Sequence, residues 1–262
     1  MSESSEVLWQ EDDSKIGVIT LNRPAALNAL NVEMLQRLSA LLDMAARAPE
    51  IDALILTGAG DVAFSAGADI RHLHASSPLD VREFARLAVS VTRKIETLGK
   101  PVVAALNGAT LGGGLEIAES CMIRIAARGV QLGHPEVKIG AVAGFGGTTR
   151  LPRLVGRGRA AEMLLTGRTV DSEEALRIGL VQFVFERNEL LAATKQIVAD
   201  ILAQSPTAVR LTWEALHRGL NLSLEEAAEL GADYFGLVAA TEDFRRGTCA
   251  FIDKEKPEFI GR

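Results

Sequence analysis

The chain has 262 residues, 48% of them hydrophobic and 24% charged, which fits one large globular domain, or a core with a smaller appendage, and excludes a disordered chain. A formal net charge of −6 excludes a general nucleic-acid binder, which needs a dominant basic face, but leaves room for an anion held by a few local Arg and Lys side chains. The two cysteines, Cys121 and Cys249, provide neither a disulfide framework nor a CxxC pair, so a reducing, cytoplasmic location is expected.

The first stretch, MSESSEVLWQEDD, is polar and acidic, unlike a signal or transit peptide. VLWQE and KIGVITLN read as two strands joined by a turn at Asp12–Asp13–Ser14. NVEMLQRLSALLDMAARA repeats apolar residues at Met34, Leu38, Leu41 and Ala45, a helical period, with Asn31 as N-cap. IDALILT predicts a short apolar strand ending in GAGD, PLDVREFARLAVSVTRKIETL a helix, and PVVAALNG another apolar strand ending in glycine. The uncharged run PVVAALNGATLGGGL spans 15 residues, short of the roughly 20 a membrane helix needs; a soluble protein without a membrane partner is expected. MIRIAA and VQLG follow as short strands.

Helices alternate with strands apolar on both faces, which predicts a largely parallel, buried sheet in an α/β layer fold. IDALILTGAG and PVVAALNGAT look alike about 50 residues apart, as successive turns of a repeating β–β–α unit would. After residue 186 the strands stop. RNELLAATKQIVADILAQ carries Leu191, Thr194, Val198 and Ile201 on one face, SPTAVRLTWEALHRGL opens with a Ser N-cap and a first-turn Pro, and SLEEAAELGADYFGLVAA opens with a capping box from Ser223 to Glu226. The expected division is a core over 1–186 and a helical region over 187–262, whose apolar surface packs on the core, on a second subunit, or both.

Several motifs fail on their mechanics. Gly58–Ala63 fits a dinucleotide fingerprint, but another glycine turn follows where a helix should begin, and Asp61 would face the phosphates. Gly108 and Gly113 have P-loop spacing, but Gly114 and Leu115 stand where Lys and Ser/Thr are required. Ser65 lacks the first glycine of a nucleophile elbow. His72 and His74 have no obvious third ligand, so no metal is expected.

LGGGLEIAESC, from Leu111 to Cys121, carries more. If Gly112–Gly114 open a helix, its first N–H groups lack internal partners and, with no Cβ in the way, a ligand oxygen can approach them. Glu116 lies three residues past Gly113, near the same face. Tight packing of small residues, with Glu116 as a favourable first-turn charge, fits this stretch equally well. Ala66-Gly67-Ala68, another strand-end turn, can set the Ala68 N–H opposite that of Gly113 as an oxyanion hole. Glu136, after Pro135, supplies a second acid; two carboxylates near such a hole can share a water, one accepting its proton while the other protonates carbon.

LNRPAALNAL, AFSAGADI, KPVVAALNGATLGGGLEIA, GHPEVKIG, GFGGTTRLPRLVG, LLTGRTVDSEEALRIGLV and FIDKEKPEFIGR occur in this order over nearly the whole chain. The set resembles the crotonase superfamily, specifically the enoyl-CoA hydratases of the enoyl-CoA hydratase/isomerase family. The resemblance implies a spiral of ββα units forming two nearly perpendicular sheets, a C-terminal helical trimerisation region, and a homotrimer or a homohexamer built as a dimer of trimers. It implies that Ala68 and Gly113 bind the thioester oxygen and that Glu116 and Glu136, 20 positions apart, are the catalytic pair for syn addition of water to a trans-2-enoyl-CoA, a fatty-acid β-oxidation chemistry needing no cofactor. Ala26, Ala66, Asp69 and Ile70 fall in CoA-binding segments, Arg71 where a basic residue meets the CoA phosphates, and Phe251 and Lys254 at positions that reach a neighbouring subunit's CoA. Met122 replaces a usual Asp, Ala143 a Pro, Thr149 a Gln and His134 a Gln or similar residue; His134 and the segment 141–145 with Ala143 are expected to line the acyl pocket. Isomerase, non-catalytic CoA-binding and NAD-dehydrogenase readings stand as alternatives.

Overall fold

The computed structural model describes residues 5–11 and 14–262; Asp12 and Asp13 of the expected first turn lie outside them. The chain forms two compact units, Met1–Lys195 and Gln196–Arg262.

In the first unit the strands, in chain order, are β1 Val7–Glu11, β2 Ile16–Leu21, β3 Ala53–Gly58, β4 Ala63–Ser65, β5 Val102–Leu106, β6 Ala109–Leu111, β7 Ile123–Ala127, β8 Gln131–Gly133, β9 Thr169–Asp171 and β10 Phe183–Phe185. One sheet has the order β1-β2-β3-β5-β7-β10 and the other β4-β6-β8-β9. The β1–β2 and β8–β9 pairs are antiparallel and the others parallel. Successive strands β3–β4, β5–β6 and β7–β8 each step from the first sheet to the second, and each pair lies beside the previous one in both sheets. The two look-alike segments are thus two turns of a spiral, and β7–β8 is the third.

The step between sheets explains the glycines and asparagines that end the strands. A Cβ on Gly108 would lie 2.5 Å from Ala63 N and 2.6 Å from the Val62 carbonyl carbon, so only glycine fits there. Asn107 ties one turn to the next, accepting from Gly58 N at 3.0 Å and donating to the Gly58 and Gly60 carbonyls at 2.9 and 2.7 Å. Strands β3 and β5 are buried almost throughout, as parallel strands covered on both faces must be.

Helices α1 Val32–Arg47, α2 Ile70–Ala75, α3 Pro78–Glu96, α4 Gly113–Glu119, α5 Gly147–Val155, α6 Arg157–Thr166 and α7 Ser172–Arg177 complete this unit before α8, Leu190–Leu202, which crosses the border at 195/196. Asn31 caps α1 by accepting from Met34 N at 2.8 Å. The expected inner face of α8 is corrected at its start: Leu190 is buried and Leu191 is 44% exposed. Both residues lie at helical spacing from Thr194 and Val198, so periodicity alone does not separate them.

The second unit holds α9 Pro206–Gly219, α10 Leu224–Ala239 and α11 Glu242–Asp253. Ser205 caps α9, and Ser223 with Glu226 forms the expected capping box of α10. Buried Asp243 anchors the chain end, accepting from Ile260 N at 2.7 Å, Gly261 N at 3.0 Å and Ser205 Oγ at 2.8 Å. Among the described residues no helix is long and apolar enough to cross a membrane.

Candidate active site

Two strand-end segments of the first unit are laced together. Ala66 N donates to Leu27 O at 3.0 Å, Leu30 N to Gly67 O at 2.8 Å and Asp69 N to Leu30 O at 2.8 Å. Buried Asn28 holds the base of this lattice, donating to Ala59 O at 3.0 Å and Ala63 O at 2.8 Å. Ala26, Ala66, Ala68, Asp69 and Ile70 are thereby brought to one edge. Asp69 caps α2 and pairs with Arg23 at 3.1 Å; burial opposes its ionisation, but the Arg23 and main-chain hydrogen bonds hold its pKa below the ordinary value. Ile70 is 52% exposed, and Arg71 is exposed beside it.

The glycines of Gly112–Gly114 do open a helix. Gly112 is its N-cap with φ +49°, a left-handed value that favours glycine. A Cβ on Gly112 would also lie 2.9 Å from Glu136 Oε1. A Cβ on Gly113 would stand 3.5 Å from Ala68 N, and one on Gly67 3.2 Å from Gly113 N. The two amides are therefore neighbours across a narrow gap. Neither donates a hydrogen bond to another described residue.

Glu116 is 1% exposed one turn into α4. Its Oε1 accepts from Phe145 N and Gly147 N, both at 2.7 Å. The glycine-rich segment before α5 thus ends as a clamp on the carboxylate. A Cβ on Gly147 would lie 2.8 Å from His134 Cε1, 3.0 Å from Glu116 Cγ and 3.1 Å from Ala143 Cβ, so His134, Ala143 and Glu116 converge here. Burial drives the Glu116 pKa up, the Gly147 hydrogen bond and the positive charge of His134 draw it down, and the result is about 7. A carboxyl titrating there can both take and release a proton near neutrality. Glu136 begins a 3-10 turn, Glu136–Ile139, and its Oε2 is buried without a hydrogen-bond partner among the described residues.

His134 does not stand open as a simple pocket wall. It is fully buried, with Nε2 2.9 Å from Glu119 Oε1 and Nδ1 3.7 Å from Glu136 Oε1. Glu119, which sequence reasoning misses, joins this cluster through His134; its only signal is helical spacing from Glu116, three positions on. Arg150 is also missed. It pairs with Glu96 at 2.6 Å and donates to Phe145 O at 3.0 Å, bracing the clamp. His72 packs edge-on to Phe84, ring centroids 5.3 Å apart. The turn at Gly58–Ala63 runs into strand β4, so no helix follows the fingerprint. Phe251 and Lys254 belong to the second unit, where Phe251 is 85% exposed and Lys254 ends α11 in the left-handed region.

Two free main-chain N–H groups beside two carboxyls, one titrating near neutrality, can polarise a carbonyl and move protons on the carbons next to it. The family described as enoyl-CoA hydratase/isomerase matches residues 11–262. The chain is 44% identical over 252 residues to a crotonyl-CoA hydratase of Syntrophomonas wolfei, covering 96% of this chain and 97% of that protein. It is 44% identical over 248 residues to a short-chain-enoyl-CoA hydratase of Clostridium acetobutylicum, covering 95% of each. The crystal structure of an enoyl-CoA hydratase from Bacillus anthracis superposes with a TM-score of 0.94 at 35% identity, over 98% of this chain and 100% of the other. The spiral of paired strands and the near-complete match of sequence and structure agree: the chain belongs to the enoyl-CoA hydratase/isomerase family and has the crotonase fold.

Proposed function

We propose that this protein is an enoyl-CoA hydratase that adds water syn across the double bond of a trans-2-enoyl-CoA, giving the 3-hydroxyacyl-CoA. The observation that carries the reading is the placement of Glu116 and Glu136 about the paired amides of Ala68 and Gly113, in a chain whose full-length relatives are hydratases. The thioester oxygen sits between the Ala68 and Gly113 N–H groups, which take up the enolate charge as it develops; losing one such donor typically costs about 2.7–4 kcal/mol of transition-state stabilisation. A water lies between the two carboxyls. The ionised glutamate takes a proton from that water as its oxygen bonds to the β-carbon, and the protonated glutamate delivers its proton to the α-carbon. The steps are C–O bond formation, proton transfer and polarisation by N–H groups, for which the residues at hand suffice without a metal or redox cofactor.

In this reading Ala26, Ala66, Asp69, Ile70 and Arg71 border the CoA, Ala143 backs the acyl group with fully buried His134 behind it and out of contact with substrate, and Phe251 and Lys254 serve a neighbouring subunit's CoA. Residues 187–262 form the oligomerisation region of a homotrimer or hexamer. Exposed Leu224, Phe235, Leu237 and Ile252 support that role, being large apolar side chains concentrated in one unit. A cytoplasmic enzyme of β-oxidation accords with two free cysteines. The presence of both carboxyls favours hydration over isomerisation, for which one base suffices.

The test is incubation with crotonyl-CoA in ¹⁸O-labelled water. Incorporation of one labelled water, lost in Glu116→Gln and in Glu136→Gln, is expected. Conversion of a 3-enoyl thioester to its 2-enoyl isomer without hydration would replace this reading by the isomerase, and binding without any turnover would replace it by a CoA-binding protein.

A further inference from the structure

His134 and Glu119 form a buried hydrogen-bonded pair that the hydration chemistry does not itself use. Both side chains are wholly inaccessible, and Nε2 meets Oε1 at 2.9 Å. The other ring nitrogen, Nδ1, is buried with no hydrogen-bond partner among the described residues. It faces Glu136 Oε1 at 3.7 Å, about 0.7 Å beyond a good hydrogen bond, so a small turn of the Glu136 carboxyl closes the contact. The ring's Cε1 and Glu116 Cγ flank one point beside Gly147, 2.8 and 3.0 Å from where a Cβ on that glycine would stand. A buried imidazole set between Glu119 and Glu136 is favoured in its charged form, which offsets the burial of carboxylates.

We propose that the His134–Glu119 pair is a positioning device for the two reacting glutamates: Glu119 holds the ring as an imidazolium through Nε2, and the Nδ1–H aims at Glu136, orienting its carboxyl and offsetting the negative charge gathered beside Glu116. His134 and Glu119 are positioning residues, since neither needs to touch substrate. The proposal rests on the hydratase reading of Glu116 and Glu136. Electrostatics agree. Burial alone would favour the neutral ring, but the Glu119 carboxylate outweighs it and drives the His134 pKa well above the ordinary value. The cation in turn lowers the Glu116 pKa, which Glu136 and Glu119 raise. The other charges in this field are Arg150 on α5 and Arg124 on β7, both of which feel Glu119. Neither ion-pairs with it: Arg150 is engaged by Glu96, and Arg124 donates to the Leu180 and Cys121 carbonyls at 2.7 Å.

The experiment uses the full chain as wild type, His134→Gln, Glu119→Gln and the double variant, in which an amide meets an amide at similar volume and supplies a folded control. The chain has four histidines, so ¹³C-labelled imidazoles resolve, and the His134 signal is the one lost in His134→Gln. In wild type that ring stays charged through pH 8; in Glu119→Gln it titrates at or below its ordinary range, about 6.5. The Glu116 carboxyl, followed by ¹³C in substrate-free protein, titrates about one pH unit higher in His134→Gln, and rises by less in the double variant, which also loses the opposing Glu119 charge. The pH profile of crotonyl-CoA hydration moves with it, and kcat falls about tenfold while KM holds. A His134 ring neutral in wild type at pH 8, or a Glu116 midpoint and pH profile unmoved in folded variants, overturns the proposal. Wild-type protein that hydrates no enoyl-CoA overturns the hydratase reading instead, and the substrate-free titrations still decide whether the pair acts on Glu116.

Discussion

Replacing Glu116 with Gln should cost activity and add stability, and the second effect should depend on pH. Gln matches the shape of Glu, and its carbonyl oxygen can accept the same N–H groups of Phe145 and Gly147. What it lacks is the ionisable proton. Burial raises the Glu116 carboxyl from 4.5 to about 7 in the folded chain. Below pH 4.5 both folded and unfolded states hold the proton and Glu116 has no pH-linked effect. As pH rises from there, the unfolded chain ionises first, binds fewer protons, and is favoured. The penalty is complete above pH 7 and amounts to about 3 kcal/mol, at about 1.4 kcal/mol per pH unit. Urea unfolding of both proteins at pH 5 and pH 8 tests this. The variant should gain about 2–3 kcal/mol on wild type at pH 8 relative to their difference at pH 5, while hydration of crotonyl-CoA falls by about 10²–10⁴-fold. A stability gap that is the same at both pH values refutes the argument that burial has pushed this carboxyl towards neutrality.

Gly113→Ala places its Cβ 2.5 Å from the Phe145 ring; the ring must turn, disturbing the N–H that holds Glu116, and kcat should drop by more than about tenfold with about 1–3 kcal/mol of stability lost, read by steady-state kinetics and urea melts. Gly114→Ala meets the Ser65 carbonyl oxygen at 2.5 Å, a main-chain atom that cannot swing aside, so its stability cost by the same melts should exceed that of Gly113→Ala. Asp243→Ala strands the N–H groups of Ile260 and Gly261; it should destabilise the protein by about 3–5 kcal/mol and speed proteolytic clipping of the last residues, followed by mass spectrometry.

The parts of this molecule governed by local rules were legible in the sequence. Asn31, Ser205 and Ser223 cap the helices they were expected to cap, because an N-cap depends on one side chain and the next three residues. Met34, Leu38, Leu41 and Ala45 line the buried face of α1, because a 3.6-residue period is written in consecutive residues. Gly113 and Glu116 were legible as a helix opening with an acid one turn in. The parts that depend on distant segments were not. Nothing near Glu119 in the chain announces that it is buried, since its partner His134 lies 15 positions away on another element. Helices α5 and α6 carry Pro152, Gly156 and Gly158 within or between them, residues that read as breaks rather than as helix. The clamp on Glu116 is made of main-chain N–H groups, which no residue type encodes.

That last feature bears on how such a protein can diversify. Because peptide groups hold the carboxyl, side chains such as that of exposed Val142 can be exchanged without removing the N–H groups that grip it; at Gly146 and Gly147 neighbouring atoms oppose a Cβ. The grip on the carboxyl and the side chains around it are therefore encoded separately along one loop. Substitutions at such positions can accumulate one at a time while the carboxyl keeps its hold.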